Sequence, residues 1–422
     1  MKDKKLYTKK IVYTYRLFKY NVTGRFTPRS FIFRKITTDP KGRYKLEIYL
    51  DNSATTKVCP EAVNAVMNVL TDDYGNPSAV HSKGAAAKTV LETARAQIAS
   101  VLSCAPGEVY FSHSGTLANN TAIFGAAEAG KRNGKRIITT ALEHPSVARC
   151  MDALETRGFE VIRLRPAANG AFDPEELMNA VNRDTVLVST MYVNNETGAI
   201  NPVELVSRAV KRANAPALIH VDAIQAFGKI PVKPSKLGVD LLTISGHKIH
   251  APKGVGALYI RKGLQLKPYV VGGGQESNMF SGTEPIPAIA GFGAAAAALP
   301  DIQAQLEKMN ELKNYMLDRL KMINSVEINS PDGALPYIIN MSVTGIPSQV
   351  LINYLSGLGI YVSAGSACKK GHRSEVLNIM GLPGKRIDSA IRVSMSRFTT
   401  RADAEAFVNA IASAQTKIRT KL

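Results

Sequence analysis

Residues Leu241–Ile260 read L-L-T-I-S-G-H-K-I-H-A-P-K-G-V-G-A-L-Y-I. An uncharged apolar run, Leu241–Ile244, stops at a glycine-flanked turn that carries Lys248 between two histidines, and the chain then re-enters an apolar strand. A strand that is apolar at successive positions, rather than alternating, is buried on both faces. Five runs upstream read as strands too: Glu108–Phe111, Arg136–Thr140, Val161–Leu164, Val186–Val193 and Ala217–Val221. Between them lie amphipathic helical stretches, among them Ala85–Leu102, Val147–Arg157 and Pro202–Ala213. Strand, helix, strand at this spacing predicts an α/β fold, with a mostly parallel sheet flanked by helices on both sides.

Beyond the sheet, Ala288–Leu299 is rich in Ala and Gly and reads as a packed helix, and Ile302–Met322 as a long helix leading to a second unit. Short strands at Tyr337–Val343, Ile360–Ser363 and Ala390–Ser394 predict a smaller α+β domain. The expected organisation is a basic extension over 1–45, a large domain over 58–303, and a small domain made of 46–57 and 304–422.

The chain has 422 residues, 45% hydrophobic and 21% charged, enough to bury a core without staples. Four dispersed cysteines form no C-x-x-C pair, so neither a disulfide framework nor a structural metal is expected, and a reducing, cytoplasmic setting fits. No apolar run approaches the roughly 18–20 residues of a membrane helix. Residues 1–45 hold 14 Lys/Arg against 2 Asp/Glu, a net +12 of the chain's +19. That arm interleaves cations with aromatics, which suits a flexible tail, a transit peptide to an organelle, or a contact with nucleic acid or an anionic surface.

In open parallel sheets, ligands bind beyond the carboxyl ends of the strands. Those ends carry S-H-S-G-T with Gly115 and Thr116, A-L-E-H-P-S with His144, N-N-E-T-G with Asn195, D-A-I-Q with Asp222 and Gln225, and S-G-H-K with Ser245, His247 and Lys248. Taken singly, each has a plain reading: a helix cap, a structural histidine, a surface lysine. Taken together, a lysine, an aspartate, a flat histidine and a Ser/Thr-rich anion pocket suit a cofactor with an aldehyde, a basic ring nitrogen, an aromatic face and a phosphate. Pyridoxal 5'-phosphate has all four.

Nine segments, in order, resemble the cysteine desulfurases of the class V aminotransferase group. They are Y-L-D-N-S-A-T-T, Y-G-N-P-S-A-V-H, E-H-P-S-V, V-N-N-E-T-G, H-V-D-A-I-Q-A-F-G-K, S-G-H-K-I-H-A-P-K-G-V-G-A-L-Y, G-G-G-Q-E-S-N-M-F-S-G-T, G-S-A-C and I-R-V-S-M-S-R-F-T-T. The resemblance spans about residues 48–415 and implies the large-domain fold of type I pyridoxal-phosphate enzymes, with a seven-stranded sheet. It also implies roles. Lys248 would hold the cofactor covalently, Asp222 would pair with its ring nitrogen, Gln225 and Asn195 would touch its phenolic oxygen, and His144 would stack on the ring and pass protons. Gly115, Thr116, Ser245 and His247 would hold the phosphate, joined by Thr283 from the partner subunit of a homodimer. Arg397 and Asn76 would clamp the substrate carboxylate. Two positions depart from the family pattern: Leu117 stands where an acidic residue is common, and His113 where a small one is usual.

Cys368 lies in S-A-G-S-A-C-K-K-G-H-R-S, Ser363–Ser374, between Gly365 and Gly371. Disulfide and metal partners are lacking, and the cations Lys369, Lys370 and Arg373 with His372 favour the thiolate. In the implied reaction Cys368 is the nucleophile that takes sulfur from L-cysteine, leaving L-alanine, and passes the persulfide to an acceptor protein. Iron–sulfur cluster assembly or tRNA thiolation would be the destination, and selenocysteine lyase or another enzyme of the same fold is the alternative.

Overall fold

The computed structural model describes residues 47–365 and 373–419, with two further paired strand segments at Thr37–Thr38 and Tyr44–Lys45. Cys368 and most of the basic arm fall outside the described residues.

The main sheet has seven strands: β1 Val109–Ser112, β2 Arg136–Thr140, β3 Glu160–Leu164, β4 Thr185–Met191, β5 Leu218–Asp222, β6 Leu241–Ser245 and β7 Gly256–Ile260. Their order is β1-β7-β6-β5-β4-β2-β3. Only β7 runs against its neighbours, and β6 through β3 are parallel. Every residue of β4, β6 and β7 is buried, including the small polar Thr185, Ser189, Thr190 and Thr243, as uncharged strands covered on both faces should be. The α/β sheet expected from the sequence is therefore the one observed.

Strand limits differ by a residue or two, for tertiary reasons. β5 extends to Asp222 because its ladder continues against Met191 on one side and Thr243 on the other. β3 starts at Glu160, which pairs across the sheet with Arg136 through two hydrogen bonds of 2.8 and 2.9 Å. Polar strand ends of this kind escape a reading based on apolar runs.

Helices α1 (Pro60–Thr71), α2 (Ser82–Leu102), α3 (Gly115–Gly130), α4 (Pro145–Glu155) and α5 (Glu204–Ala213) surround the sheet. The Ala/Gly-rich helix is α6, Ile286–Ala297, which packs on α1 and α2. Its Phe292 is fully buried and meets Phe111 of β1 and Phe227 edge-on, at ring separations of 6.5 and 6.2 Å. Next comes the long helix α7, Ile302–Leu320. Among the described residues no single helix is long and apolar enough to cross a membrane. An antiparallel sheet of β8 (Val326–Ile328), β9 (Ile338–Val343) and β10 (Ala390–Ser394) follows, and Ile48–Tyr49 pairs in parallel with Ile360–Tyr361. The segment before α1 thus joins the C-terminal region, with Asp51 bridging to Ser394.

Glu276, Ser277 and Asn278 all have positive φ, 50°, 53° and 69°, a conformation costly for side-chain-bearing residues. What holds them is Glu276. Its buried carboxylate accepts two hydrogen bonds from the Arg95 guanidinium at 2.8 Å and one from Phe111 N at 2.7 Å. Removing it leaves the largely buried Arg95 with only the exposed Glu92 at 3.2 Å as a charge partner, and Phe111 N without an acceptor, so Glu276→Ala should cost about 2–4 kcal/mol. Denaturant unfolding checks this, and a loss under about 1 kcal/mol contradicts the clamp.

Candidate active site

Strands β5 and β6 are parallel, so Asp222 at the end of one and Ser245 at the end of the other stand on the same sheet edge. Asp222 is buried. Its Oδ2 accepts from Asn119 Nδ2 at 2.8 Å and its Oδ1 from Ile224 N at 3.0 Å. Burial pushes the Asp222 carboxyl up, opposed by His144, by those two hydrogen bonds and by Lys248. A positive partner would therefore favour its ionised form.

His144 caps α4, its Nδ1 accepting from Ser146 N at 3.1 Å. Its neutral form therefore carries the proton on Nε2. Burial pulls the imidazole below its usual range.

Lys248 Nζ donates to Ser53 O at 2.6 Å and Ala54 O at 2.8 Å. The same Ser53 O accepts from Gln225 Nε2 at 3.0 Å. The residues just before α1 thereby form a shelf under both side chains. Lys248 lines a narrow pocket together with Lys229, His250, Gln305, Tyr337 and Arg397. Arg397 donates to Ala298 O and stacks over Phe398, while its Nε is buried without a hydrogen-bond partner. A guanidinium at this wall suits a carboxylate ligand.

The head of α3 forms the anion cradle. Ser114 Oγ accepts from Leu117 N at 3.1 Å, and among the described residues the N–H groups of Gly115 and Thr116 have no acceptor. A Cβ on Gly115 would stand 2.5 Å from Ile224 Cδ1 and 3.3 Å from Ser245 Cβ, so glycine lets the helix end meet the end of β6. Burial first, then Lys248, pulls His247 down to about 4, so near neutral pH it is an uncharged neighbour. Its Nδ1 lies 3.3 Å from Thr55 Oγ1. Free amides for a phosphate, a buried carboxylate for a ring nitrogen and an amine on the turn after the neighbouring strand fit pyridoxal phosphate.

Three other expected positions do not line the Lys248 pocket. Asn76 is exposed on the turn after α1, its Oδ1 accepting from Ser78 N, and it does not line the pocket. Thr283 is exposed, next to Gly282, at which a Cβ would lie 4.0 Å from His113 Cε1 of the same chain. Asn195 is half-buried and offers its backbone O to Arg392, while Asn194 does the structural work of the turn by accepting from Glu196 N and Thr197 N.

Around Cys368, only the flanks are described. Gly365, with φ of 93°, offers its carbonyl to Arg392 Nη1 at 3.0 Å, and Ser374 Oγ donates to Glu196 Oε2 at 2.6 Å. Asn119, Lys229 and Arg392 went unnoticed in the sequence, whereas Glu196 stood out beside Asn195 in N-N-E-T-G. For Lys229, a lysine one helical turn after the site glutamine was a usable signal.

This α/β framework, with a lysine, a buried aspartate and an anion-binding helix head on one sheet edge, defines the aminotransferase-like enzymes. The aminotransferase class-V family model matches residues 48–407. The chain belongs to that pyridoxal-phosphate-dependent family and, within it, to the cysteine desulfurases. A relative named cysteine desulfurase from Trichormus azollae is 41% identical over 377 residues, covering 88% of this chain and 94% of its own. The solved structure of a NifS-like protein superposes with a TM-score of 0.83 at 36% identity, covering 88% of this chain and 100% of the other. SspA in complex with cysteine superposes with a TM-score of 0.74 at 30% identity, covering 84% and 100%.

Proposed function

We propose that this chain converts L-cysteine to L-alanine, with Lys248 as the attachment point for pyridoxal phosphate and Cys368 as the sulfur acceptor. The observation that carries the reading is Lys248 on the wall of a pocket that also holds Arg397. When bound, pyridoxal phosphate supplies an electron sink that labilises bonds of the amino acid. Asp222 keeps the ring nitrogen's proton in place. The head of α3, with Gly115, Thr116, Ser245 and His247, anchors the phosphate. Gln225 and Asn195 offer donors to the phenolic oxygen. Arg397 orients the substrate carboxylate, with Asn76 as its expected helper. Lys248 Nζ and His144 Nε2 move protons.

The Cys368 thiolate then attacks the substrate sulfur. An S–S bond forms as the C–S bond breaks, alanine takes the proton, and the enzyme keeps a persulfide for an iron–sulfur scaffold or a tRNA-thiolation enzyme. Residues 58–303 form the cofactor domain in this reading, and 46–57 with 304–422 the domain that carries the cysteine. Free Cys59, Cys104 and Cys150 agree with a cytoplasmic setting.

The active unit is a homodimer in this reading. The exposed apolar residues Val63, Met67 and Leu70 on α1, followed by Tyr74 and Val80, form a face that a second copy would cover. The test measures alanine and sulfide from L-cysteine with a thiol reductant present. Wild type should release both in equal amounts. Mixed dimers of Thr283→Ala and Lys248→Ala chains should exceed either parent, because sharing puts both defects in one site and leaves the other intact. Absence of alanine from wild type defeats the activity, and no recovery in demonstrated heterodimers defeats the shared site.

A further inference from the structure

Lys229 is a buried lysine that the reaction described above does not use. It sits on the turn after β5, one helical turn beyond Gln225, and lines the same pocket as Lys248. Its Nζ donates to Gln225 Oε1 at 2.9 Å and stands 5.9 Å from the centre of the Tyr337 ring. Its charged and titratable neighbours are Lys248 and His247 on the turn after β6, His250 just beyond, Arg392 on β10, Arg397 on the loop after it, and the Tyr337 phenol. No carboxylate pairs with Lys229 among the described residues. Burial, then the charges of Lys248 and Arg392, pull its ammonium down to about 7. An amine buried among cations costs stability, so its place calls for a function.

We infer that Lys229 is a positioning residue that locks the Gln225 amide with its N–H side toward the Lys248 shelf. As an ammonium Lys229 only donates, and so binds Gln225 Oε1 and not Nε2. Nε2 is thereby turned to Ser53 O, the carbonyl that also holds Lys248. One amide N–H remains for the cofactor's ring oxygen. A charged donor on the far end of the amide polarises it and strengthens that N–H. The ring oxygen is then less basic, and the proton it shares with the Lys248 nitrogen leaves at lower pH. The inference rests on Lys248 being the cofactor's attachment point.

The test is a spectroscopic pH titration of the cofactor-loaded protein, without substrate, following the visible band of the Lys248-bound cofactor. Lys229→Met should raise the midpoint by about 1 pH unit. In a Gln225→Ala background the same substitution should move it less than half as far, because the lysine acts through the amide. Where Lys229→Met does not fold, Lys229→Gln, which keeps a neutral donor, should still shift the midpoint upward. An unmoved midpoint in a folded Lys229 variant overturns the inference, as does a full shift that survives Gln225→Ala. A wild type with no band at all would overturn the Lys248 reading instead, which keeps the two failures apart.

Discussion

Cys368→Ser should lose alanine and sulfide release by on the order of 10³-fold or more, while L-cysteine still shifts the cofactor's visible spectrum. The two half-reactions divide at this residue. Lysine, aspartate and histidine act on the amino acid skeleton, and only a thiolate can take the sulfur, since a serine hydroxyl is a poor nucleophile toward it. Wild type given L-cysteine without reductant should gain one sulfur atom, found by mass spectrometry on the peptide containing Cys368. The other three cysteines are poor candidates on physical grounds. Cys59 and Cys150 are buried, and burial pushes Cys104 and Cys150 up to about 12 and raises Cys59 as well. Thiolate is scarce at all three near neutral pH. Sulfur on one of them, or undiminished turnover in Cys368→Ser, would show that the loop had been misread.

Lys248→Ala should abolish the visible band and lower alanine release by on the order of 10³-fold or more, because no covalent attachment to the chain remains. The side chain stands at the mouth of β6 and bonds to loop carbonyls, so the core is untouched and the unfolding midpoint should stay within a few degrees. Borohydride reduction of wild type followed by peptide mapping gives the sharper result. Two lysines line the pocket, Lys248 and Lys229, and the added mass should sit on the first alone. Label on Lys229 would exchange their roles and overturn both the site and the inference built on it.

Much of this architecture is legible without coordinates. Strands buried on both faces are uncharged and mostly apolar at successive positions, so Val186–Val193 and Leu241–Ile244 declare themselves, and parallel strands carry their C-terminal residues to one edge. Lys248, Asp222 and the head of α3 could be named because each follows such a strand directly. Asn119 shows why other members of the site could not. It faces Asp222 from 103 residues away, one turn into a helix whose sequence reads as a cap and a packed Ala-rich face. No local period encodes that meeting.

The fold class, the succession of strands and helices and the chemistry of the lysine turn follow from the sequence by itself, because burial on both faces and turn geometry act over a few residues. The tertiary structure alone decided that Ser53, 195 residues before Lys248, forms the shelf for its amine. It also decided that Arg392 reaches Asp51 across 341 residues, and that Lys229, on the wall of the Lys248 pocket, donates to Gln225. Those contacts depend on how the segment before α1 and the C-terminal sheet close over the main sheet. Hydrogen bonds between buried polar groups form only where that packing brings donor and acceptor within about 3 Å.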